Sequence, residues 1–247
     1  MEETHLLLIA MGVAIAAGVT QGITGFGFVM VAAPVLSAIA DPKLVVPVMI
    51  LQTSVTNVLI LAHAWRHLRL RGVWPLLAAG AVGAPAGAVA LVFLDSSVLR
   101  LSIGLIVGVT ALAMLAGFQR TVNNERVASV PVGFASGALN SSTGLAAPPV
   151  VLFFANQNVE SSQFRANIAA HFTVLNLVTV PAFVLGGLFT PEALRLGFGL
   201  MPATVIGVGA GIIISRWVHG QAFRRLALVL VLFAGGGAIA AAFTGSI

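Results

Sequence analysis

An all-α polytopic membrane protein, built as two inverted repeats that each join a re-entrant helical hairpin to three transmembrane helices, is the fold this sequence predicts. Three observations carry that expectation. Of the 247 residues, 59% are hydrophobic and only 8% charged, and a mean hydropathy of +1.07 belongs to chains whose solvent is lipid. Apolar runs follow one another in the same order twice. The basic loops between those runs change places from one half to the other.

The elements follow in order. Residues 6–18 have the look of a signal-peptide core, but the preceding Met-Glu-Glu-Thr-His is acidic and Gln21 follows without a cleavage site, so they are read as part of the mature protein. Residues 5–40 are too long for one span and carry helix breakers at 22–27, in "GVTQGITGFGFVMVAAPVL". Runs of about 20 apolar residues, enough to cross the hydrocarbon core, come next at 44–63, 73–94 and 98–118. A linker over 119–127 ends the first repeat, 1–118. The second, 128–247, opens with another broken segment, 128–155, interrupted at "ALNSSTG", and continues with spans at 163–186, 193–215 and 225–244.

Sliding the chain by 115 residues sets Gly18 on Gly133, Gly22 on Gly137 and Pro34 on Pro149; offsets of 119 and 124 set Asn57 on Asn176, Gly83 on Gly207 and Gly87 on Gly211. This order of matches predicts an internal duplication. "AWRHLRLRG" is basic where its counterpart "GGLFTPEALR" is not, and "SRWVHGQAFRR" is basic where "LDSSVLR" is not. If Lys and Arg mark the cytoplasm, equivalent loops face opposite sides and the repeats are inverted. An odd number of crossings per repeat then makes each broken segment a hairpin that enters and leaves by one face. Both termini lie outside, and every Lys and Arg except Lys43, Arg100 and Arg195 falls on the cytoplasmic side.

Backbone without helical hydrogen bonds survives at membrane depth only inside protein or along a polar cavity. A second hairpin arm that begins near the midplane aims its free N–H groups and positive dipole end there, and two such ends make an anion site. The expected site residues are Thr24, Gly25, Phe26 and Gly27 at one break and Asn140, Ser141, Ser142, Thr143 and Gly144 at the other. Glycine admits close approach, and the hydroxyls can cap a helix or donate to an oxyanion. Gly18, Gly22, Gly83 and Gly87 are read as helix-packing residues. Polar residues inside the spans add Gln52 and Asn57, with Thr53 and Thr56 beside them, and His171 and Asn176 in the matching helix.

No Asp or Glu lies deep in a span, so a carboxylate proton relay or sodium site has no carrier. With no cysteine and scattered histidines, neither metal nor organic cofactor is expected. The net charge of +5 sits in short loops and reflects orientation rather than a nucleic-acid partner. Ser141 or Ser142 with His171 would be needed for an intramembrane serine hydrolase, a remote alternative without a supporting motif; the chain is read as a non-enzyme.

The stretch "GVTQGITGFGFVMVAAPVL…DPKLVVPVMILQTSVTNVLIL", echoed by "GFASGALNSSTGLAAPPVVLFF" and "RANIAAHFTVLN", resembles the TauE/SafE sulfite exporter family, which includes transporters similar to the 4-toluene sulfonate uptake permease. The resemblance implies a multi-pass protein of the bacterial inner membrane. It also implies that the cargo is a small anion such as sulfite, sulfoacetate or another organosulfonate. Beside a secondary carrier stands a passive anion channel with the same selectivity element. Partners are that anion and the lipid bilayer; a homo-oligomer is compatible with the reading.

Overall fold

The computed structural model describes residues 2–115, 124–155 and 160–217. Span 225–244, the C-terminus and most of the 119–127 linker lie outside them. The described residues form α1 (Glu2–Thr24), α2 (Phe28–Ile39), α3 (Pro42–Ala64), α4 (Leu70–Phe93), α5 (Ser96–Leu115), α6 (Glu125–Thr143), α7 (Ala147–Ala155), α8 (Ser161–Leu185) and α9 (Pro191–Ile214), with a 3-10 turn at Trp65–His67. No strand occurs among them. Among the described residues five helices are long and apolar enough to cross a membrane: Leu7–Thr24, Pro42–His67, Val73–Phe93, Ser161–Leu185 and Pro191–Ile214.

Helix starts follow local chemistry. Asp41 caps α3 by accepting the Lys43 N–H at 2.8 Å, with Pro42 as the first helical residue, and Thr190 does the same for α9 ahead of Pro191; a short side-chain acceptor takes an orphan N–H where proline has none to offer. Lys43 and Arg100, two exceptions to the loop bias, reach from the first turns of α3 and α5 to the C-termini of neighbouring helices. Lys43 Nζ donates to the Val92 carbonyl at 3.1 Å and Arg100 to that of Ala40 at 3.4 Å, where the negative dipole end favours a cation.

Both segment breaks fall later than expected. α1 runs through Gly22 to Thr24 and α6 runs through Asn140, Ser141 and Ser142 to Thr143, so only 25–27 and 144–146 leave the helix. The hydroxyls are the reason. Thr24, Ser142 and Thr143 each donate to the carbonyl four residues back, at 2.7, 2.8 and 3.0 Å, which satisfies the side chain without leaving helical geometry. The first arm is consequently long: 23 residues make a helix of about 34 Å.

Glycines set the packing. α1 lies on α9 and α6 on α4, while α3 and α8 pack on each other and on α9 and α4. A Cβ built on Gly18 would lie 2.7 Å from the Thr204 carbonyl oxygen and 3.0 Å from Val208 N, and one on Gly137 would meet the Gly80 carbonyl and Ala84 N. Gly207 likewise faces the Ile15 carbonyl and Gly83 that of Phe134; Gly211 faces Val19 and Gly87 faces Ala138. These contacts correspond at an offset of 119 for α1 and α6. The offset of 115, which set Gly18 on Gly133 and Gly22 on Gly137, is therefore one helical turn out of register. Small residues recur every four positions on both helices, so sequence matching cannot separate registers that differ by one turn.

Candidate functional site

The two breaks share one local design. Thr24 ends α1, its Oγ1 accepting the Phe26 N–H at 3.2 Å; Thr143 ends α6 and accepts that of Leu145 at 3.3 Å. The next residue, Gly25 or Gly144, is left-handed with φ of 83° or 77°, and its N–H turns back to Gln21 O at 2.7 Å or Asn140 O at 2.9 Å. That is a glycine helix terminus. The amides of Gly25, Ser142 and Gly144 are therefore committed to helix bonding and do not face a ligand. Free amides come later, in the first turn of α2. Gly27, at φ 105°, caps that helix without a side-chain bond, and the N–H groups of Phe28, Val29 and Met30 precede its first acceptor and find none elsewhere among the described residues.

The second arm is unlike the first. Ala146 N–H is bonded to Gly144 O at 3.1 Å, and α7 opens Ala-Pro-Pro, so Pro148 and Pro149 carry no donor. Equivalence of the two helix starts as donor sets, expected from the sequence, does not hold. The breaks are also staggered: Gly25 rests against Arg165, whereas Ser141, one turn ahead of Gly144, bonds Thr179, 14 residues or about 21 Å further along α8. Val29 bridges the gap, its Cγ1 standing 2.9 Å from where a Gly144 Cβ would be.

Between the breaks lies a narrow cleft. Gly27, Phe28, Val29 and Met30 form one wall; Gly144, Leu145, Ala146 and Ala147 form the other. Phe26 and Phe172 supply aromatic surface, and Gln21, Thr53, Asn57 and Asn140 supply polar groups. Two hydrogen-bonded sets hold these polar groups. Gln21 Nε2 donates to Asn57 Oδ1 at 2.7 Å and its Oε1 accepts from Thr56 at 3.0 Å. Asn140 Nδ2 donates to Asn176 Oδ1 at 3.0 Å and Thr179 Oγ1 at 3.1 Å, while Asn176 donates to Thr53 at 3.1 Å. Gln21–Asn57 and Asn140–Asn176 again stand 119 residues apart. Among the described residues no charged side chain lines the cleft, and the start of α2, the positive end of that helix dipole, stands in its wall.

Of the expected residues, Phe26, Gly27, Asn57, Asn140 and Gly144 line this cleft. The others lie outside the lining. Thr24 and Thr143 shape the breaks, Gly25 faces Arg165, and Ser142 bonds its own helix. Ser141 and Asn176 stand behind the wall and hold Thr179, Asn140 and Thr53 in place. Gln52 donates to the Gly197 carbonyl at 2.9 Å. His171 is fully buried, with Nε2 2.9 Å from Ser136 Oγ, which bonds the Ala146 carbonyl at 2.8 Å. His171 thus reaches neither Ser141 nor Ser142 as a hydrogen-bond partner. His171 pairs instead with Ser136, and its Nδ1 has no hydrogen-bond partner among the described residues. No group of His, Asp and Glu able to hold a metal occurs among the described residues.

The lining residues missed from sequence are Gln21, Phe172, the first turn of α2, and Leu145, Ala146 and Ala147; Thr53, read on one helix face with Asn57 at i, i+4, does line the cleft. A usable signal existed for Gln21, which stands 119 residues before Asn140.

Residues 10–238 of this multi-helical chain, which include both broken helices and the largely apolar cleft between them, match the family described as sulfite exporter TauE/SafE. The chain belongs to the TauE/SafE sulfite exporter family. Curated proteins and solved structures give no match. Membership in TauE/SafE makes this chain a multi-pass membrane protein of a transporter family.

Proposed function

We propose that this TauE/SafE protein is a secondary carrier that exports a small sulfur-containing oxyanion, sulfite or an organosulfonate, across the bacterial inner membrane. One observation carries the reading: Phe28, Val29 and Met30, whose amides have no partner among the described residues, line a cleft together with Gln21, Asn57 and Asn140. An oxyanion there would accept backbone N–H bonds at the positive end of a helix. Carboxamides would complete its shell while the aromatic walls exclude water. Family membership supports the sulfur chemistry of the cargo.

The proposed scaffold is a pair of inverted repeats with re-entrant hairpins, α1–α2 and α6–α7, and both termini outside. Its support is the exchange of basic loops together with the paired contacts, α1 on α9 matching α6 on α4. With the cleft free of carboxylates, the inside-negative potential can drive export of a monoanion, assisting by about 2.3 kcal/mol per charge per 100 mV. Reconstituted protein should bind labelled sulfite or an organosulfonate and show saturable counterflow. Large unitary currents would instead establish a channel, and an absence of binding to sulfite, sulfate, thiosulfate, taurine and sulfoacetate would overturn the anion reading.

A further inference from the structure

Arg165 lies in the first turns of α8, against the back of the first break. A Cβ built on Gly25 would lie 3.0 Å from both Cα and Cγ of Arg165, so glycine is required there by space as well as by its left-handed φ of 83°. The guanidinium is half-buried and carries five N–H donors. Among the described residues its one hydrogen bond, to the Ile23 carbonyl at the end of α1, is long at 3.4 Å. No carboxylate contacts it among the described residues: Glu160, at the start of the same helix, accepts from the Ser162 hydroxyl instead. A cation in a membrane helix is costly unless it meets an anion or a wet cavity, and a helix-end carbonyl at that distance offsets little.

The surroundings point to what the free donors are for. Phe164 stacks edge-on against Phe26 at 5.9 Å and against Phe154 at 6.0 Å, and Phe26 lines the cleft. The cleft and the guanidinium thus lie on two sides of one break, with the Phe26 ring beside the peptide that separates them. Arg165 follows closely on residues 156–162, which the topology traced from the basic loops elsewhere in the chain puts on the cytoplasmic side.

Resting on the proposed anion function, we infer that Arg165 is an outer binding residue for the same class of cargo, taking the oxyanion through its guanidinium before the anion passes Phe26 to the amides of α2. The planar fork suits the oxygens of a sulfonate or sulfite, and Phe26 and Phe164 offer apolar surface to a short organic body.

The cysteine-free sequence allows a charge-rescue test on the full chain. R165C should bind labelled sulfoacetate, which unlike sulfite does not cleave a mixed disulfide, at least about tenfold more weakly than the parent, the loss of one charge-assisted contact. An aminoethyl thiosulfonate adduct, which restores a positive charge, should recover most of the affinity, whereas a neutral methyl adduct should not. A purely structural Arg165 would not distinguish the two adducts, whose thermal midpoints are measured alongside. Parent-like binding by R165C, or equal rescue by the neutral adduct, overturns the inference and leaves the cleft reading standing. If R165C does not fold, R165K should keep most of the affinity and R165Q lose it, and equal affinities overturn the inference. A parent that binds no anion overturns both.

Discussion

Gly209 and Gly211 lie two residues apart on α9 and should respond oppositely to alanine. A Cβ at Gly211 would run into the Val19 carbonyl oxygen and stand 2.9 Å from Gly22 Cα and 3.0 Å from Val19 C. Those contacts are shorter than the ordinary range by about half an ångström, and the carbonyl contact by more, so α1 and α9 must part by roughly 0.5–1 Å, which forfeits about a quarter to a half of each van der Waals well. The seam runs past Ile15, Gly18, Val19 and Gly22 on one helix and Thr204, Gly207, Val208 and Gly211 on the other. Some 30 atom pairs at about 0.1–0.2 kcal/mol each put the loss near 1–3 kcal/mol, in the range of measured overpacking. Nothing lies within 4 Å of a Cβ at Gly209. There alanine should be neutral or stabilise by up to about 1 kcal/mol, from the lower conformational entropy it loses in a helix. Thermal midpoints of G209A, G211A and parent in one detergent decide the matter. A G211A protein as stable as G209A would refute the close α1–α9 contact and the glycine register built on it. G87A, directed at the Ala138 carbonyl across α4 and α6, should behave as G211A does.

Two further predictions bear on the cleft and the topology. G27A forces a side chain into φ 105° and within 2.8 Å of Thr20 Cγ2, a strain of about 1–3 kcal/mol at the residue that opens α2; sulfite binding should weaken severalfold or more in protein that still folds, while G12A, with nothing near it, leaves binding unchanged. Unchanged affinity in G27A would remove the start of α2 from the site. Single cysteines at Ser97 and Arg69, both exposed positions, should label from outside and inside respectively in intact cells, and labelling of both from one face would sink the inverted arrangement.

Composition and the spacing of apolar runs were sufficient to specify helices and approximate spans, because lipid permits no other way to satisfy so much backbone. They also located both breaks to within a few residues, since Thr-Gly flanked by apolar sequence has one economical conformation, a hydroxyl-capped helix ending in a left-handed glycine. Asn57 and Asn140 were legible because carboxamides inside spans need partners. The partners themselves were not: Gln21 with Asn57 and Thr53 with Asn176 join residues 36 and 123 positions apart, a choice made by how α1, α3 and α8 come together. Register was likewise beyond reach, because glycines recurring every four residues fit equally well one turn away. Tertiary structure also decided which helix start can donate. Both breaks look alike in one dimension, but the amides of Gly25 and Gly144 turn back into α1 and α6, the prolines leave the first turn of α7 only the Ala147 N–H to offer, and the packing of α2 across Gly144 sets Phe28, Val29 and Met30 along a cleft walled by both halves.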